Sequence, residues 1–471
     1  MTRPLRLDPD RFFPLDDRAR GLARDLFALV ERLPILSPHG HTDPAWFAAD
    51  SPFADAPSLL VQPDHYLLRM LYSQGVALED LGINPLDGAA ASAQPREVWR
   101  TFAANYRLFR GTPSRAWLDH TFVTLFGLDV RLDLDTADHY FDVIKEALTH
   151  PDYRPRALFT RFGLEVLATT DGALDDLESH RVIAASGWLG RVIPTFRPDD
   201  ITDPEREDFT ANVDWLGELT GEVTTTWRGY LNALARRRET FRSLGATATD
   251  HGPPSARTAD LGVADAGALF DRVRAGRANA ADADLFRAQM LTEMARMSVD
   301  DGMVMQLHPG SWRNHNTALF ARFGRDKGAD IPMTTTYVDA LKPLLDAVGN
   351  SATLRLILFT LDESAYAREL APLAGHYPTL RLGPPWWFQD SVEGMLRFRR
   401  QTTETAGFYN TAGFNDDTRA FFSIPARHDL ARRVDCAYLA ELVATGRLEE
   451  DEAEALAVDL AHGLAKEAYR L

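Results

Sequence analysis

Two histidines one residue apart, His39 and His41, close the apolar run Leu33-Pro-Ile-Leu-Ser-Pro-His-Gly-His41. Residues two apart on a strand point to the same side, so both imidazoles can reach one metal ion. Taken alone, a His-x-His pair is equally well explained by two solvated loop histidines. Its place straight after an apolar strand and before Thr42-Asp43-Pro44 favours the metal. Asp417, at the end of the last apolar run with Arg419 two residues on, is the third candidate ligand. Strand alternation lets only one of Asp416 and Asp417 face inward, and the Asp-x-Arg spacing puts Asp417 and Arg419 on one face. The plainer reading of that pair is a surface ion pair of little energetic weight. His308, in Gln306-Leu307-His308-Pro309-Gly310, and Asp250-His251 close two further runs. His308 alone reads more readily as a core or capping histidine. Polar groups at so many strand ends are what a barrel active site requires.

Eight short apolar runs carry these residues: 33–41, 164–171, 191–199, 245–252, 302–310, 354–362, 380–388 and 408–417. Most are apolar on both faces, as buried parallel strands are. Amphipathic stretches at 230–244, 284–300, 336–348 and 364–374 lie between them. Strand and helix alternating eight times predicts an α/β chain closed into a (β/α)8 TIM-type barrel, one domain over 1–471. An open doubly wound sheet would usually carry a Gly-rich turn after its first strand, and none is present. Between 44 and 162 no convincing strand occurs; helices are expected at 57–75, 95–109, 114–126 and 136–148. This stretch reads as a helical insertion after the first strand, packed over the barrel mouth. Two closing helices are expected in 434–471.

Composition narrows the partners. The 471 residues are 45% hydrophobic and 25% charged, ordinary globular values, with a formal charge of −17. So acidic a surface argues against nucleic acid and anionic membranes, yet leaves room for a small anionic substrate in a local cationic pocket. The single cysteine, Cys436, cannot form an intrachain disulfide, which fits a reducing compartment. The first ten residues lack the apolar core of a signal peptide, and no run approaches the roughly 18 apolar residues of a membrane span. A cytoplasmic protein is expected, with homo-oligomerisation left open.

Further motifs extend the pattern: Asp64-His65-Tyr66, Ala168-Thr-Thr-Asp171, Thr195-Phe-Arg-Pro-Asp199, Thr249-Asp-His-Gly252, Arg313-Asn-His-Asn316, Pro385-Trp-Trp-Phe-Gln-Asp390 and Asp417-Thr-Arg419. With them the chain resembles the uronate isomerases of the amidohydrolase superfamily over essentially its whole length. Gln-Leu-His followed by Arg-Asn-x-Asn, and the Trp-Trp-Phe run, are the specific signatures. The sequence departs from the family pattern at Gly40, where Cys often stands, and at Asn415-Asp416, where Leu-Thr is usual.

The resemblance implies interconversion of D-glucuronate with D-fructuronate and of D-galacturonate with D-tagaturonate, by ring opening and enediol proton transfer. It implies one divalent metal, zinc, on His39, His41 and Asp417. Asp417, Arg419, Tyr66 and His65 are the expected catalytic residues. Arg197, with Arg313 as second candidate, is expected to clamp the C6 carboxylate, since a planar guanidinium suits it. Trp386 and His308 complete the substrate-binding set, His308 being alternatively a ligand. The rival on the same scaffold, a hydrolase with two metals bridged by a Lys or Glu of the fourth strand, finds only Thr249-Asp250-His251 there. A non-catalytic sugar-acid-binding protein should have lost a ligand or the Asp-x-Arg pair, and both are retained.

Overall fold

Strands apolar on both faces must be covered on both, and this chain does so by curling the sheet into a ring and surrounding it with helices. The structure is a computed structural model that describes residues 3–88, 91 and 93–471. Seven strands run parallel in chain order: Ile35–Ser37, Leu164–Ala168, Arg191–Ile193, Ala248–His251, Val304–Leu307, Leu356–Leu358 and Leu380–Leu382. The second and third continue past short breaks as Asp171–Gly172 and Phe196–Arg197, and Phe196 pairs with Thr249 of the fourth. Backbone hydrogen bonds from Thr169 to Ile193 (2.9 Å) and Asp171 to Thr195 (3.0 Å) carry the pairing across those breaks.

The eighth position departs from expectation. Instead of a regular strand, 408–418 makes one parallel bridge, Thr411 with Leu382, and closes on the first strand through His41 N donating to Thr418 O at 3.0 Å. Gly413 at φ +71° and Asp417 at φ +36° bend the segment out of extended geometry. The alternation argument for Asp416 and Asp417 therefore does not apply here, and both side chains are buried.

Alternation along the true strands sorts the core. Leu36, Val166, Ile193, Ala248, Val304 and Ile357 point into the ring, where Ala465, Ala468 and Tyr469 of the closing helix Leu464–Tyr469 pack among them. Met305, Leu307, Leu356, Leu358, Leu380 and Leu382 point outward, against helices such as Trp227–Ser243, Ala280–Asp301 and Val338–Val348.

Helices fill the stretch between the first two strands, and they share a second apolar core built on Trp99, Phe102, Phe122 and Tyr140. The expected helix over 57–75 is broken into Ala56–Leu60 and His65–Ser73. Pro63 has no N–H to extend a helix, and Asp64 starts a new one by accepting from Tyr66 N (2.8 Å) and Leu67 N (3.3 Å). His65 and Tyr66 thus occupy a first helical turn whose direction the cap sets. The tail also starts earlier than expected, with helix Ile424–Ala444 preceding Glu450–Val458 and Leu464–Tyr469. Its buried Arg427, Arg432 and Arg433 obscure an apolar face in the sequence. No described helix is long and apolar enough to cross a membrane.

Gly413 brings the eighth segment against the closing helix, where an added Cβ would lie 2.8 Å from Ala465 N. Gly413→Ala should lower thermal stability by about 1–3 kcal/mol more than Gly407→Ala, which has the same sign of φ and open space. Equal melting shifts for the two variants would show that this contact does not hold the seam.

Candidate active site

At the seam of the ring, the segment after the first strand meets the segment that replaces the eighth. His41 Nε2 lies 3.3 Å and His39 Nε2 3.5 Å from the same oxygen, Asp417 Oδ1. Burial alone would raise the Asp417 pKa, but the two imidazoles hold it well below the ordinary carboxylate range. His41 goes the other way: burial pushes it down to about 4, against Asp417. Burial also works against protonated His39, yet Asp417 and Asp250 together outweigh it and leave its pKa raised.

A second layer lies beneath. His308 Nδ1 is 2.7 Å from Asp250 Oδ1, and the other oxygen of Asp250 is 3.1 Å from Arg197 Nη1. Arg197 Nε donates to Asp199 at 2.9 Å, so two carboxylates fix the guanidinium. Its Nη2 takes part in no hydrogen bond among the described residues and faces Gly252, where a Cβ would stand 2.6 Å from it and 3.5 Å from Arg313 Nη2. Arg197 Nη2 fills the space the glycine leaves, and with Asp199 Oδ2 3.1 Å from the same point two guanidinium groups and a carboxylate meet beside Gly252 on the cavity wall. Arg313 is braced by Asp330 at 2.9 Å and lies 4.7 Å over the Trp387 ring.

The insertion supplies the third wall. His65 stacks on Tyr66 and meets Trp387 edge-on, and Tyr66 meets Trp117 edge-on. Burial, with Arg419 second, pushes His65 down to about 3, and burial raises the Tyr66 hydroxyl well above its ordinary value. At neutral pH His65 is therefore an uncharged imidazole and Tyr66 a protonated donor. Arg419 pairs with Asp326 at 3.2 Å, both groups part-exposed at the mouth.

These groups surround one cavity of about 480 Å³. The ten residues given roles in the sequence analysis all line it: His39, His41, His65, Tyr66, Arg197, His308, Arg313, Trp386, Asp417 and Arg419. Seven arginines and eight aspartates line it in all, so its wall is near neutral in a chain of charge −17 and can accept an anion. Half of the eight non-glycine residues with positive φ among those described, Asn314, Asp326, Trp387 and Asp417, are on this wall. Backbone strain of that kind collects where side chains must be aimed.

Three details differ from the sequence reading. His251 turns away from the cavity toward Thr249 (2.9 Å), and Asp250 is the one that lines it. Trp386 is buried edge-on to His308, whereas Trp387 presents its face to Arg313. Asp416 is not the outward member of its pair; it is buried with Oδ2 3.2 Å from His428 Nε2. Asp199, the last residue of a quoted motif but given no role there, also lines the wall, as do Asp326 and Arg427, which carried no local signal beyond their types.

The donor set fits a divalent metal. Nδ1 of His39, Nε2 of His308 and Oδ1 of Asp417 are buried without a hydrogen-bond partner, an expensive state in a protein interior. His39, His41 and Asp417 present ligand atoms within 4.8 Å of one another, as do His39, Asp250 and His308. The second group is committed elsewhere, Asp250 to Arg197 and His308, which favours the first.

The comparisons agree along the whole chain. The sequence pattern of the glucuronate isomerase family matches residues 13–469. A protein named uronate isomerase from Phenylobacterium zucineum is 63% identical over 100% of this chain and 98% of its own. The crystal structure of a glucuronate isomerase from Caulobacter crescentus is similar at a TM-score of 0.98 and 57% identity, covering 99% of this chain and 98% of that one. A uronate isomerase from Thermotoga maritima reaches a TM-score of 0.91 at 27% identity, covering 98% of this chain and 99% of its own.

Elemental analysis of the purified protein should find about one divalent metal per chain, removable by a chelator, with the content cut sharply in His39→Asn. Two tightly held metals per chain would contradict the three-residue site and restore the binuclear reading.

Proposed function

Given that the chain belongs to the glucuronate isomerase family, we propose that this cavity opens a cyclic hexuronate and moves a proton between C2 and C1. The reactions are D-glucuronate to D-fructuronate and D-galacturonate to D-tagaturonate. One observation carries the reading: a single cavity has two guanidinium groups meeting beside Gly252 and an ionised carboxylate with two imidazoles on the same wall. The first arrangement suits the C6 carboxylate, the second the reacting carbonyl end.

Arg197 Nη2 and Arg313 Nη2 clamp the carboxylate from the wall beside Gly252, with Asp199, Asp250 and Asp330 keeping the two forks in place. Asp417 stays ionised at neutral pH and takes the proton of the anomeric hydroxyl as the bond from C1 to the ring oxygen breaks. Tyr66, kept protonated by burial, hands a proton to that oxygen and later handles the C2 proton. His65 beside it is neutral and can relay a hydrogen bond without adding charge. Arg419 faces the enediolate oxygens, where charge builds up in the transition state. His308, its Nδ1 committed to Asp250, offers Nε2 to a sugar hydroxyl, and Trp386 holds that ring from its edge. A divalent metal on His39, His41 and Asp417, zinc by the nitrogen and oxygen donors, supplies Lewis acidity when bound. We place the reaction in the cytoplasm, which the lone buried thiol Cys436 supports.

The test is to supply D-glucuronate and D-galacturonate in D2O and look for the ketose acids, with solvent deuterium entering the product. Gly252→Ala should raise KM for the uronates on the order of tenfold while kcat changes little, because it crowds the clamp and leaves the reacting end alone. Absence of any ketose acid from the wild-type protein would overturn the reading, and an unchanged KM in Gly252→Ala would remove the clamp from it.

A further inference from the structure

The ion pair of Asp390 and Arg427 borders the site and has no part in the scheme above. Arg427 is in the first turn of helix Ile424–Ala444 and is 1% exposed. Its Nη1 donates to Asp390 Oδ2 at 2.6 Å and to the carbonyl of Asp416 at 3.3 Å, and its Nε to Ser423 Oγ at 3.1 Å. The guanidinium lies 3.7 Å over the Trp117 ring and 5.7 Å from the centre of the Tyr66 ring. One side chain thus joins three parts of the fold: the insertion, the segment after the seventh strand, and the turn just before Asp417.

We propose that Arg427, held by Asp390, is a positioning residue that fixes Tyr66 relative to Asp417 so that the chemical step, and not substrate binding, depends on it. The inference rests on the roles given above to Tyr66 and Asp417. Two observations carry it. Asp417 is held at φ +36°, a conformation that persists only when its surroundings over-determine it. Arg427 takes the carbonyl on one side of that residue, while His41 N takes the carbonyl of Thr418 on the other. Tyr66, for its part, has a hydroxyl that no described protein group hydrogen-bonds, so the packing of its ring sets its aim, and that packing is Trp117, His65 and Arg427. A buried ion pair contributes little to stability in itself, and Asp390 Oδ1 is left buried without a partner, so geometry is the better explanation for keeping it. A lysine cannot replace this fork, because one ammonium cannot hold Asp390 and the Asp416 carbonyl while also reaching Ser423 Oγ and laying a planar face on Trp117.

The experiment is a double-mutant cycle on the metal-loaded full chain, with D-glucuronate as substrate and metal content measured for each variant. Arg427→Met and Arg427→Lys should each lower kcat by roughly 10², the cost of a misplacement of about 1 Å, with KM within about threefold of wild type and metal retained. Asp390→Asn, which keeps the shape of its side chain, should show a smaller loss of the same kind and serves if the Arg427 variants fold poorly. In the Tyr66→Phe background, removing Arg427 should cost less than about tenfold more, because the group being aimed is already gone. Losses that multiply in full would overturn the inference, as would a rise in KM at unchanged kcat. If Tyr66→Phe itself turns over at the wild-type rate, the role of Tyr66 falls and the inference with it, an outcome distinct from multiplying losses.

Discussion

One oxygen of Asp417 faces two imidazoles across the seam where the barrel closes, at 3.3 Å from His41 and 3.5 Å from His39. A buried carboxylate must be compensated, and here the compensation comes from another part of the chain. The ring therefore has to close for the site to exist. The rest of the architecture serves that meeting: the parallel strands set the order of the segments, the closing helix fills the interior, and the helix after the seam braces the turn from behind. Strain is accepted at Asp417 and at Asn314, Asp326 and Trp387 around the same cavity. The wall is a chain of mutually committed charges, Asp199 to Arg197 to Asp250 to His308, in which each group fixes the next.

That chain explains how a strongly acidic protein can take an acidic substrate. Arg197 and Arg313 are held by aspartates, and both bring an Nη2 to the wall beside Gly252. Local geometry, not net charge, decides what enters.

Much of this was legible in the sequence where the signal is local. Two histidines one residue apart after an apolar run, and Asp-x-Arg near the end of the chain, announce a cluster because short spacing survives into any fold. Eight apolar runs announce the ring. What misled was the assumption that the last run is a strand: Gly413 and Asp417 take positive φ, so alternation fails and the side chains of both Asp416 and Asp417 are buried. The helix break at Pro63-Asp64 was readable from turn chemistry, yet the amphipathic pattern across it dominated. Asp390 closes a quoted motif, but its pairing with Arg427 was not readable. They are 37 residues apart, and an arginine in a helix with Arg432 and Arg433 reads as a solvated face until the partner is seen. Trp386 was the candidate from the Trp-Trp pair, yet it is Trp387, with a left-handed backbone, whose ring faces Arg313.

The central claim is that Asp417 acts as a base and not only as a ligand. Asparagine at 417 keeps the shape and one oxygen but loses the charge and the proton affinity. The direct measurement is kcat of Asp417→Asn on D-glucuronate with the metal in excess, beside His39→Asn treated in the same way. The account predicts a loss of roughly 10²–10⁴ in Asp417→Asn that added metal does not repair, and partial recovery in His39→Asn. Return of Asp417→Asn to near wild-type turnover when metal is supplied would contradict it and move the base to His65 or to a water molecule.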